Sequence, residues 1–258
     1  MGSIWGNLDR IFTGTIHTYY YRLSQHYKAH PDDLKTLGYT ILACAFILSF
    51  DKWGETAFDA VIGLGNFAAA LVICTIGIGI HDIAHRITSV KMGYDIEHKI
   101  WFAGLIISIV LVLVSRGAVK VYLIEAMTLA PVRLYRAGRY PFMGTTWEYS
   151  LAYMSGPLAS LIFAGILASI ASAAGITTGL LILAVQFNLI YGLLALLPLP
   201  PLDGLWILYY SRGVYCGLIV GALAYTIMTQ FGIAYWMPFA FSIVLGIISG
   251  IYWMKVHD

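Results

Sequence analysis

Charge is nearly absent from this sequence. Only 11% of its 258 residues are Asp, Glu, Lys or Arg, against about 25% in an ordinary soluble domain. Fifteen basic and 13 acidic side chains cannot coat a water-facing surface of that size. Cysteine is equally sparse: Cys44, Cys74 and Cys216 are scattered and odd in number, with no CxxC pair. They are expected to be small packing residues rather than bridges or metal ligands. No internal repeat, low-complexity tract or separate soluble domain is visible. Intrinsic disorder, nucleic-acid binding and a disulfide scaffold are therefore excluded. What is present instead is apolar residues, 60% of the chain at a mean hydropathy of +0.80. That is the composition of a polytopic membrane protein.

Residues 1–35 interleave Tyr19, Tyr20, Tyr21 and Tyr27 with Arg10, Arg22, Lys28 and Lys35. They lack the ordered regions of a signal peptide and are expected to lie as an amphipathic segment on the membrane surface. Pro31-Asp32-Asp33 reads as a helix start with acid in its first turn. Residues 36–258 form a single transmembrane domain, with apolar stretches at about 34–50, 58–80, 100–115, 150–174, 179–197, 214–230 and 235–254. A full crossing takes about 20 apolar residues, and 100–115 is short. If all seven stretches cross, with the N-terminus inside, the basic residues divide seven inside to eight outside. If 100–131 instead enters and returns on its own side, fourteen are inside, or twelve against three with Arg116 and Lys120 at a far tip. The positive-inside rule selects the second map. The expected fold is all-α, with six transmembrane helices, a re-entrant hairpin at about 100–131 and the N-terminal interfacial segment. Backbone that re-enters the membrane must be buried in protein or line a wet cavity.

The chemistry-bearing residues sit at two places. His81-Asp82-Ile83-Ala84-His85 closes the second stretch. Histidines four apart share a helix face, which suits two imidazoles on one zinc ion. Asp82 follows the first histidine, where metalloproteases carry their general base. The second place is Pro198-Leu199-Pro200-Pro201-Leu202-Asp203-Gly204. Its three prolines end the helix and leave Asp203 in an irregular stretch at the membrane edge, where an ionisable group is a functional candidate. The six-span map sets both places at similar depth near the cytoplasmic face. Two histidines and one carboxylate with an open fourth position make a catalytic rather than a structural zinc set.

Together these residues resemble the site-2 protease family, intramembrane zinc metalloproteases of which this would be a prokaryotic type. The HExxH helix of that family is matched by His81–His85, and its NxxPxPxxDG segment by Pro198, Pro200, Asp203 and Gly204. Its Gly-Pro span is matched around Ser155-Gly156-Pro157-Leu158-Ala159-Ser160. The resemblance covers about residues 58–212; residues 1–57 and the last two spans carry no family motif. It implies one zinc ion per chain held by His81, His85 and Asp203, with Asp82 as the catalytic carboxylate. It further implies cleavage of a peptide bond in or near a transmembrane helix of a membrane-protein substrate. The setting would be the cell membrane, with N-terminus and site cytoplasmic and the lipid bilayer as surroundings. The re-entrant element could offer a strand edge to an unwound substrate. Two positions depart from the family: Asp82 is one methylene shorter than glutamate, and Ala195 stands where an asparagine is expected, with Asn188 the nearest amide. These departures motivate a catalytically silent zinc-binding relative as a rival. A metal or proton transporter is the other.

The remaining polar residues carry plainer expectations. His98, beside Glu97 and Lys99, reads as a solvated loop histidine. His17, His26 and His30 read as interfacial, and Arg133, Arg136 and Arg139 as headgroup anchors. Glu125 is either buried and functional or simply reaches water. Gly156-Pro157, Gly63, Gly65, Gly77 and Gly79 read as positions of close helix approach.

Overall fold

The computed structural model describes residues 31–54, 57–92, 94–131, 146–229 and 236–257. Most of the interfacial segment, His17, His26, His30 and the three loop arginines lie outside the described residues. In chain order the elements are α1 (Pro31–Ser49), α2 (Ala60–Met92), β1 (Tyr94–Ile100), α3 (Phe102–Val114) and β2 (Glu125–Pro131). They continue with α4 (Thr146–Ala173), α5 (Leu180–Ala195), α6 (Asp203–Tyr210), α7 (Arg212–Thr229) and α8 (Trp236–His257). The described chain is mostly helical, but the two strands mean that it is not purely α.

Helix starts follow the local chemistry. Pro31 opens α1 with Asp32 and Asp33 in its first turn. Before α2, Asp59 Oδ1 accepts the amides of Val61 at 2.8 Å and Ile62 at 3.1 Å, an N-cap. Among the described residues four helices are long and apolar enough to cross a membrane: α2, α4, α7 and α8. Of the six expected crossings, α1 carries three charges, Asp32, Asp33 and Lys35, at its start. The other, α5, has 16 residues, or about 24 Å at about 1.5 Å per residue, against a hydrocarbon core of about 30 Å. By contrast α2 runs for 33 residues and does not stop near residue 80. His81 and His85 therefore sit within a continuous helix.

Around the stretch expected to re-enter, the chain forms a strand-closed hairpin that begins before the apolar residues, at β1. β1 pairs antiparallel with β2, in register from Tyr94↔Pro131 to Ile100↔Glu125. The chain between them leaves along α3 and returns extended, ending beside where it began. Its tip lies against the end of α1: Lys120 Nζ is 2.6 Å from Asp51 Oδ1 and 3.0 Å from the Leu48 carbonyl. The β-branched and aromatic run Val119-Lys120-Val121-Tyr122-Leu123-Ile124 favours extended backbone. Tyr122, Leu123 and Ile124 are buried, and two of their main-chain groups, the Leu123 amide and the Ile124 carbonyl, have partners on the outgoing limb. The Leu123 amide donates to Ser108 Oγ at 3.1 Å, and the Trp101 amide donates to the Ile124 carbonyl at 2.8 Å. This limb belongs to both halves of the core. Tyr122 and Ile124 join Ile47, Ile78 and Phe187, while Ile96 and Met127 pack with Leu161, Leu189 and Ile207. Cys44 and Cys74 are free and buried in the first cluster, as packing residues should be.

Candidate metal centre

Two helices converge on one point. From α2 come His81 and His85, 6% and 1% exposed, and from the start of α6 comes Asp203, 6% exposed. The Pro198–Leu202 segment makes the turn, but Asp203 is not in the irregular stretch expected for it: it is the first residue of α6. The two histidine Nε2 atoms are 3.1 Å apart. Asp203 Oδ2 lies 3.2 Å from that of His85 and 3.6 Å from that of His81.

The opposite ring nitrogens are occupied by α4. His85 Nδ1 is 2.8 Å from the Ala152 carbonyl, to which it donates, and His81 Nδ1 is 2.9 Å from Ser160 Oγ. A donating Nδ1 leaves Nε2 with a free lone pair, the tautomer that a metal requires. Gly156 lets α4 come this close, since a Cβ there would lie 2.7 Å from His81 Nε2 and overlap His85 Nε2. The Gly-Pro span thus acts as expected by close approach, here against the histidines themselves.

The donor set fits a metal ion. Two bonds of about 2.0–2.1 Å at a tetrahedral angle place their ends roughly 3.3 Å apart, and the three separations bracket that value. His81, His85 and Asp203 each offer one ligand atom within 4.8 Å of the others, and among the described residues they are the group of this kind. Beside them is a cavity of about 30 Å³, room for a water or two.

No family model, curated protein or solved structure matches this chain.

Asp82 does not line the cavity. Its carboxylate takes Arg86 Nε at 2.8 and 3.1 Å and lies 2.5 Å from His98 Nε2. His98 is not a solvated loop residue. It is 6% exposed on β1, with Asp82 on one ring nitrogen and Glu125 against the other. Both are ion-pair approaches rather than aligned hydrogen bonds. Burial acts to lower the His98 imidazolium, but the Glu125 and Asp82 carboxylates outweigh it and hold it up at about 10. Arg86 reaches on to Asp33 at 3.8 Å, and Asp33 Oδ1 accepts the His98 amide at 3.2 Å. The charges alternate along this line from α1 to β2.

Glu125 takes the buried alternative, with its side chain 10% exposed at the cavity wall. Tyr191 of α5 donates to its Oε2 at 3.2 Å and sets its ring edge-on to His81, centroids 4.9 Å apart. The sequence reading missed Tyr191 and His98. For His98 the available signal was strand alternation: Tyr94, Ile96 and His98 share the buried face of β1. Ala195 lines the cavity, whereas Asn188 sits against Gly77, a turn away from His81, so the amide does not replace the missing one.

Proposed function

We propose that this chain is a membrane-embedded zinc endopeptidase of the site-2 protease type, cutting a peptide bond in or near a transmembrane helix of another membrane protein. The observation that carries the reading is the convergence of His81, His85 and Asp203 beside a water-sized cavity. Two histidines and one carboxylate leave a zinc position open, the mark of catalytic rather than structural sites. Zinc bound there supplies acidified water and polarises a carbonyl oxygen. The protein's own part is to fix the His85 tautomer through the Ala152 carbonyl, to orient the His81 ring through Ser160, and to exclude all but a little water. It also presents a carboxylate that is not a ligand.

The chain is read as crossing the cell membrane six times, with α1 and α5 as the two shorter crossings and Tyr94–Pro131 as the re-entrant hairpin. Its tip beside Asp51 corresponds to the twelve-to-three division of basic residues, with Lys52, Arg116 and Lys120 on the far side. Cysteines at Lys91, Gly138 and Ser211 should label from the cytoplasm, and one at Ala57 from outside. Labelling of the Gly138 variant from outside would restore seven crossings and separate the two motifs.

The function is tested by metal analysis of purified protein together with cleavage of a reconstituted transmembrane substrate. One zinc per chain and a cut within the substrate's span are expected. A second reading, a zinc-binding relative that holds a partner helix without cutting, is favoured by the engagement of Asp82 with Arg86 and His98. Full zinc occupancy with no cleavage would select it.

A further inference from the structure

Hydrolysis at a three-ligand site needs a carboxylate that is not a ligand and reaches the attacking water. Two candidates stand close by. Asp82 follows the first histidine, but both its oxygens are turned to Arg86, one of them also to His98, and it does not line the cavity. Glu125 does line it, together with His81, His85 and Asp203, and is not part of the three-atom ligand cluster. Each of its oxygens has one protein partner, Oε1 facing His98 Nδ1 and Oε2 accepting from the Tyr191 hydroxyl. A carboxylate has about four acceptor positions, so these contacts leave lone pairs for a water.

We propose that Glu125 is the catalytic carboxylate, and that Asp82 and His98 are positioning residues that hold it. This rests on the endopeptidase reading. One proton of a cavity water passes to Glu125 as the water oxygen bonds the scissile carbonyl carbon. Glu125 then gives that proton to the amide nitrogen as the C–N bond breaks. The water's second hydrogen stays on the new carboxyl group, and Glu125 ends unprotonated. The hairpin register makes the substitution of one acid for the other possible. Ile100 faces Glu125 and His98 faces Met127, so His98 and Glu125 are diagonal neighbours on one face of the sheet. Asp82, too short for the usual role, contacts the far side of the same imidazole. The helix carboxylate thus orients the strand carboxylate through His98.

The test uses the full chain, purified and reconstituted with a transmembrane substrate, reading zinc content, kcat and KM. Wild type should hold one zinc and cut. Glu125→Gln should keep its zinc and its KM while kcat falls by about 10²–10⁴-fold, the usual worth of a positioned base. Asp82→Asn should also keep zinc and KM, with a smaller fall in kcat of about 10–100-fold. Glu125→Asp keeps the charge beside His98 and so preserves the fold if the Gln variant does not; an intermediate kcat is expected, and an undiminished one counts against the assignment. Glu125→Gln cutting at the wild-type rate, or Asp82→Asn proving the more damaging change, overturns the assignment and leaves the endopeptidase reading standing. Loss of zinc in Glu125→Gln overturns it too, because Glu125 would then be a ligand. A wild type that holds zinc and cuts nothing overturns both.

Discussion

The two ends of the chain hold their helices together in opposite ways. Around the candidate metal centre, α1, α2, the hairpin and α6 meet through buried ionisable groups, among them Asp33, Arg86, Asp82, His98 and Asp203. At the other end, α7 and α8 meet backbone to backbone. A Cβ at Gly217 would lie 2.8 Å from the Gly246 carbonyl, and one at Gly246 would lie 2.7 Å from that of Gly217. In lipid there is little hydrophobic drive between helices, so small residues and close packing do the joining. The apolar windows of α7 and α8 are only 17% and 22% buried, against 33% and 44% for α2 and α4. Buried charge is costly, and among the described residues it lies in the half that contains the cavity. The α7–α8 pair is joined through close backbone approach at its glycines.

Changes on the two sides should therefore separate cleanly. The largest effect belongs to the ligands: His81→Ala or Asp203→Ala should each empty the zinc site and abolish cleavage, read by metal analysis. Zinc retained in both would remove the centre. Next is Gly156→Ala, whose added methyl meets both histidine Nε2 atoms. Zinc affinity should fall by about 10–100-fold, the scale of outer-shell changes, measured by competition with a chelator.

On the other side, Gly217→Leu should lower the thermal midpoint in detergent, at a cost of about 1–3 kcal/mol for overpacking, while zinc content stays whole. Loss of zinc there would break the separation. The smallest effect concerns His98. Its proton is held up at about 10 from an ordinary 6.5, so the stability it contributes is complete below the ordinary value. That contribution declines as pH rises and is gone above about 10. The midpoint of wild type should fall over that range more than that of His98→Gln; parallel curves would mean that the imidazolium is not held between the two carboxylates.

Much of this was legible in the sequence because it rests on local rules. The HxxxH spacing sets two imidazoles on one helix face whatever surrounds them, and three prolines end α5 wherever it packs. Pro31 and the acids after it mark the start of α1 by the same local logic. The unread part depended on pairing across the hairpin. His98 lies between Glu97 and Lys99 and looks solvated in one dimension. Only the antiparallel register, with a turn of 24 residues between Ile100 and Glu125, turns it inwards. Asp82 likewise could be placed on its helix, but which partners its carboxylate would meet was decided by Arg86 one turn on and by a strand not foreseen. The apolar stretch stops at residue 80 because hydropathy falls at His81, whereas the helix that carries both histidines continues to Met92.

The tie between Lys120 and Asp51 sets a timescale. A hairpin fixed only at its strands could swing open from the tip, and its amides would exchange with solvent in minutes. Here the tip is bound to the end of α1 and the returning limb is threaded through both core clusters. The Leu123 amide, bound to Ser108 Oγ between buried Tyr122 and Ile124, should be among the slowest to exchange. Glu125 follows directly on that limb and shares its stillness.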